Sequence, residues 1–214
     1  ALIGAISSLI LILSIAGNLG GDLASAFDLV LLEIAVASRS GVSYLTAFTG
    51  FIAMLIALRI NPKFRTIALL FGSAAVLFSF AISGHALTGG LLTQILLLIH
   101  LFCIAFWLGA LLPLRWICLQ DNKGNLGELA HHFGVIALAY VGALVITGLA
   151  YAYILLGEVS LIFSTNYGNI LLVKVIFVSV LICYAAVNKF LVVPSLKEDL
   201  LRGTRKLKLS IQSE

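Results

Sequence analysis

Six stretches of the chain are almost unbroken in apolar residues: Leu2–Gly17, Val42–Leu58, Thr66–Leu87, Leu91–Leu114, Phe133–Leu156 and Ile170–Val193. Short polar segments separate them. A helix that crosses the hydrocarbon core of a bilayer needs about 20 such residues. Lipid offers no water to backbone N–H and C=O groups, so a spanning segment is either a helix or a strand of a closed barrel. Barrel strands run to about 10 residues with every second one polar, and these runs show no such alternation. The pattern predicts an all-α fold, a polytopic transmembrane bundle of about six spans in one domain covering residues 1–214.

Composition agrees. The chain is 62% hydrophobic and 10% charged, against about 25% charged in soluble domains. The few charges are unevenly placed. Arg59, Lys63 and Arg65 lie between the second and third spans, and Arg115 and Lys123 between the fourth and fifth. Lys189, Lys197, Arg202, Arg205, Lys206 and Lys208 follow the sixth. The alternate connections carry almost no base, with Arg39 set against Asp22, Asp28 and Glu33. Basic loops stay on the cytoplasmic side, so both ends of the chain are expected inside and the 18–41, 88–92 and 157–168 connections outside. The net charge of +4 is accounted for by this bias, and no nucleic-acid partner is expected. Cys103, Cys118 and Cys183 lie in or beside spans with no CxxC spacing, which argues against a disulfide framework.

The connections have different characters. Residues 18–41 are too charged to span and too apolar to be a free loop, and predict a helix lying at the outer interface. "NPKFR" at 61–65 is a tight inner turn with a helix-starting proline. Residues 119–129, "LQDNKGNLGEL", are expected to be a cytoplasmic loop. The basic amphipathic tail 194–214 is expected to rest on anionic lipids of the inner leaflet. Small residues recur at Gly72, Ser73, Ala74 and Ala75, and again at Gly142, Ala143, Thr147 and Gly148. They let helices approach closely in lipid, and their expected role is packing alone. The first span begins without a flanking charge or an initiator methionine, and the chain stops abruptly at "LKLSIQSE". A piece of a longer protein is expected.

Chemistry is concentrated in two histidines. His85 and His100 flank Gly89 and Gly90, a pair suited to ending a helix. With a turn centred near residue 91 or 92, both imidazoles fall at similar depth in the outer half of the membrane. On the fourth span His100, Cys103 and Trp107 share one face. Imidazole suits copper, zinc and iron, and thiolate selects Cu(I) or zinc. Ionisable residues within a span are costly and mark function more often than structure; hydrogen bonding alone is the plainer alternative. The candidate metal residues are therefore His85, His100 and Cys103. His131 and His132, beside Glu128, are expected to be solvated or capping. Lys174 is expected to reach the interface or to pair with an outer acid. The single methionine, Met54, is expected to pack in the core, and the absence of a methionine ladder argues against a methionine-lined pore.

Four stretches together resemble the CopD family of bacterial copper resistance and uptake proteins. They are "SGHA" at 83–86, "IHLFCIAFWLGALLPL" at 99–114, "YGNILLVKVIFV" at 167–178 and "NKFLVVPSL" at 188–196. The resemblance covers about residues 40–214. Ala110 and Lys189 stand where the family pattern has Gly and Arg. Members commonly have about eight spans, so this chain would be part of such a bundle. The resemblance implies an inner-membrane protein that takes copper at the periplasmic face through His85 and His100. It also implies a periplasmic copper-binding partner of the CopC type, fused or separate.

Two other functions compete. Haem b held by the same two histidines as axial ligands would make the chain an electron carrier, although a short turn between adjacent helices leaves little room for the macrocycle. A structural or assembly subunit would use them for hydrogen bonds only. No nucleophile–base arrangement and no phosphate loop is present in the sequence, so no enzyme activity is expected.

Overall fold

The computed structural model describes residues 1–118, 126–158 and 160–187. Among them there is no strand. The helices are α1 (Leu2–Gly20), α2 (Leu29–Ala37), α3 (Arg39–Ala57), α4 (Pro62–Ala81), α5 (Gly90–Cys118), α6 (Leu126–Leu156), α7 (Leu161–Ser164) and α8 (Asn166–Val187), with 3₁₀ turns at Ala24–Phe27 and Gly84–Leu87. Six segments are long and apolar enough to cross a membrane: Leu2–Gly20, Arg39–Ala57, Pro62–Ala81, Gly90–Pro113, His132–Leu156 and Gly168–Val187. The chain divides into two units, Ala1–Leu98 and a second beginning at Ile99.

In the first unit α3 packs on α4 and α1 packs on α3. Glycine makes the α3–α4 contact possible. A Cβ on Gly50 would lie 2.7 Å from the Gly72 carbonyl oxygen, and one on Gly72 would lie 2.6 Å from the Gly50 oxygen. The two backbones therefore meet directly, as small residues permit in lipid. Gly142 is different: among the described residues nothing lies within 4 Å of a Cβ built there. Gly72→Leu should lower stability by about 1–3 kcal/mol, the usual cost of overpacking. Gly142→Ala should not lower it, and should raise it by up to about 1 kcal/mol through helix propensity. Thermal unfolding of both variants in the same detergent checks this, and equal midpoints would refute the close approach.

The 18–41 connection departs from the single interfacial helix predicted, because cap residues interrupt it. α1 closes at Gly21, whose φ of 84° is left-handed, and its N–H reaches the Gly17 oxygen at 2.8 Å. Asp22 then accepts from the Ser25 N–H at 2.7 Å. Hydrogen bonding from the Ser25 side chain, then from its backbone, holds the Asp22 carboxyl below the usual carboxylate range. Asp28 caps α2, accepting from the Val30 and Leu31 N–H groups at 2.8 and 3.1 Å. Ser38 caps α3 through the Gly41 N–H at 3.0 Å. Side-chain oxygens offered to these orphan amides outcompete a continuous helix. Leu23, Phe27, Leu29 and Val30 stay exposed.

Three boundaries also move. The third span was expected to run to Leu87, but α4 stops at Ala81 and a 3₁₀ turn carries Gly84–Leu87. Residues 126–129, assigned to the loop 119–129, begin α6 instead. Hydropathy marks the apolar part of a helix, and "LGELAHH" continues the helix beyond it, with Leu126, Glu128, Leu129 and Ala130 as good helix formers. α5 passes through Pro113 to Cys118. The rest of that loop, 119–125, and the tail 194–214 lie outside the described residues. The "NPKFR" turn is as predicted, with Pro62 in the first turn of α4 and the Asn61 side chain accepting from the Lys63 N–H at 3.1 Å.

Candidate functional site

His100 projects from α5 onto α6. Its Nδ1 lies 3.0 Å from the Leu144 carbonyl oxygen and 3.4 Å from Thr147 Oγ1. A carbonyl can only accept, so in the neutral ring Nδ1 carries the proton and donates to Leu144. Nε2 is left with its lone pair. The approach depends on Gly148: a Cβ there would stand 2.8 Å from His100 Cε1 and 3.2 Å from Nδ1. The imidazole thus lies against a bare stretch of α6 backbone that any side chain would fill. Thr147 turns its hydroxyl to the Ala143 and Leu144 oxygens, at 2.7 and 3.2 Å. A metal-binding histidine commonly has its second ring nitrogen held in this way by a backbone carbonyl or carboxylate.

Cys103 follows one turn along α5 as a free thiol that is 3% exposed. Trp107, one further turn on, is also buried. His100, Cys103 and Trp107 thus follow one another at about one-turn intervals along α5. Phe106 stacks on Tyr140 of α6 with ring centroids 3.9 Å apart, and Phe102 tilts against the same ring. These contacts brace α5 on α6 beside the histidine.

His85 belongs to the first unit and His100 to the second. His85 lies in the 3₁₀ turn Gly84–Leu87, next to Gly84 at φ 68° and the buried Ala86. Among the described residues no three His, Cys, Asp or Glu side chains gather into a metal-holding group. The outer acids have local duties: Asp22 and Asp28 bind backbone amides, and Glu158 accepts from the Ser160 hydroxyl at 3.2 Å. Glu33 and Lys174 are exposed.

The sequence reading missed the receiving side of His100. Thr147 and Gly148 were assigned to packing, yet they shape the surface that the imidazole occupies. The available signal was the Thr-Gly pair itself, which leaves the Leu144 carbonyl open to a neighbour. Nothing in the spacing says that His100 is that neighbour.

The fold and this niche define a class: a polytopic α-helical membrane protein with an oriented imidazole inside a span. Within that class, residues 127–214 match the family described as copper resistance protein D, CopD. The matched residues include Leu144, Thr147 and Gly148; His85, His100 and Cys103 precede them. The chain is also similar to inner membrane protein YebZ of Escherichia coli (strain K12), at 33% identity over 114 residues, covering 47% of this chain and 36% of that protein. The alignment thus spans about a third of that relative's length. No solved structure matches.

Proposed function

We propose that this chain handles copper within a bacterial inner membrane, with His100 and His85 as imidazole donors and Cys103 as a further soft donor. The observation that carries the reading is the hydrogen bond from His100 Nδ1 to the Leu144 oxygen at 3.0 Å. It orients the ring and leaves Nε2 available, and imidazole and thiolate together suit copper. The CopD match over 127–214 supports the choice of metal. Copper here is cargo, taken at the periplasmic face and passed inward. The distribution of basic residues supports that orientation, with the C-terminus cytoplasmic. A CopC-type periplasmic protein or domain is the proposed donor, and Glu33, exposed on α2, is the outer acid proposed to meet it.

A Cu(I) titration of the purified chain against a competing chelator, under reducing conditions and with a visible spectrum, tests the reading. One tightly held copper and no Soret band are expected. A Soret band would replace copper by haem b. Neither metal nor haem would leave the histidines with hydrogen bonding only, and the copper reading would be wrong.

A further inference from the structure

The backbone between α4 and α5 is irregular where the sequence predicted continuous helix, and two hydroxyls from outside the turn hold it. α4 ends at Ala81, so its last carbonyls lose their intrahelical partners. Ser43 of α3 supplies one, donating to the Ser79 oxygen at 2.6 Å. The Ser83 hydroxyl then donates back to Ser43 Oγ at 3.2 Å, tying the first residue before the Gly84–Leu87 turn to α3. On the other side Thr93, in the first turn of α5, donates to the Ala86 oxygen at 2.6 Å. Thr93 is 0% exposed, and Ser43 and Ser79 are 4% and 3% exposed. Gly84 and Gly90, at φ 68° and 69°, provide the two left-handed bends that a side chain would resist.

Broken helix at membrane depth is tolerated only where protein or a cavity satisfies the freed groups. Here both satisfying residues grip the segment on either side of His85: Ser83 two residues before it, Ala86 immediately after it. A continuous helix through Leu87 would need none of these bonds. We propose that Ser43 and Thr93 are positioning residues that hold the backbone of the Ser83–Ala86 turn, which carries His85, and that copper binding through His85 depends on that held turn. The inference rests on the copper reading above.

The test measures Cu(I) affinity by chelator competition in the full chain for Thr93→Val, Thr93→Ser and Ser43→Ala, each with and without His85→Ala. Thr93→Val keeps the side chain's volume and removes only the hydroxyl. It should weaken copper by about tenfold, the lower end of the usual loss when a supporting partner of a metal ligand is removed. Thr93→Ser should restore affinity to near wild type, and Ser43→Ala should weaken it in the same direction. In the His85→Ala background neither Thr93→Val nor Ser43→Ala should weaken binding further, which a general loss of fold would not reproduce. If Thr93→Val fails to fold, the Ser43→Ala pair decides by the same comparison. Undiminished affinity in Thr93→Val and Ser43→Ala, beside a clear loss in His85→Ala, would overturn the positioning role while copper binding at His85 stood. Unchanged affinity in His85→Ala itself would remove His85 from the copper reading and the positioning role with it.

Discussion

Replacing His100 by alanine is expected to weaken Cu(I) binding by more than about 100-fold. Loss of a hydrogen-bonding partner that merely supports a metal ligand already costs about 10–100-fold in affinity, and His100 is proposed as the ligand itself. The fold should survive the change. The Leu144 oxygen that accepts from Nδ1 also lies 3.2 Å from the Thr147 hydroxyl, so removal of the ring does not strand a buried carbonyl. Phe106 and Tyr140 still stack across the α5–α6 contact. Chelator competition on His100→Ala, with thermal unfolding as the control, separates the two effects. Cys103→Ser provides the companion comparison, since serine retains the volume and discards the soft donor. Copper affinity unaltered in His100→Ala would remove His100 from the site.

Gly148→Ala is expected to loosen copper without touching any metal donor. The new Cβ would stand 2.8 Å from His100 Cε1, closer than carbon atoms pack, so the ring must swing away from the Leu144 oxygen. Its tautomer and direction would then no longer be set, and affinity should fall by about tenfold, as for other losses of a supporting hydrogen bond. Gly148→Leu should cost more. Stability need not follow, because alanine is the better helix former by about 1 kcal/mol. Weaker copper with an undiminished unfolding midpoint is the expected pair of results. Gly142→Ala, at a position with open space in the described structure, should leave copper affinity as it is and raise the unfolding midpoint slightly, as the better helix former. Equal affinities for the Gly142 and Gly148 variants would contradict the niche.

The six spans were legible because each is an apolar run of the length that lipid demands, and the structure has a helix for every one. Their ends were less legible. Hydropathy does not distinguish a helix from a turn made of the same residues: "AISGHAL" is apolar enough to continue α4, yet Ser43 and Thr93 stabilise a break there through bonds from elsewhere in the chain. At 18–41 the opposite occurred. The cap residues Gly21, Asp28 and Ser38 are visible in the sequence, but the broad apolar side of 18–41 reads as one helix until Asp28 and Ser38 are seen to bind the orphan amides. At the site, His100 and Cys103 stood out because an imidazole and a thiol are conspicuous in an apolar span. Leu144, Thr147 and Gly148 did not, since a backbone carbonyl has no sequence signature and a glycine that admits a ring reads the same as one that admits a helix. Gly50 and Gly72 show the second case, meeting backbone to backbone.

X-ray absorption at the copper K-edge of the Cu(I)-loaded chain tests the central claim most directly, because it reports the atoms bound to the metal. The account predicts a nitrogen shell with the outer-shell scattering of imidazole, which weakens in His100→Ala. A copper shell without imidazole scattering, or one identical in wild type and His100→Ala, would contradict it.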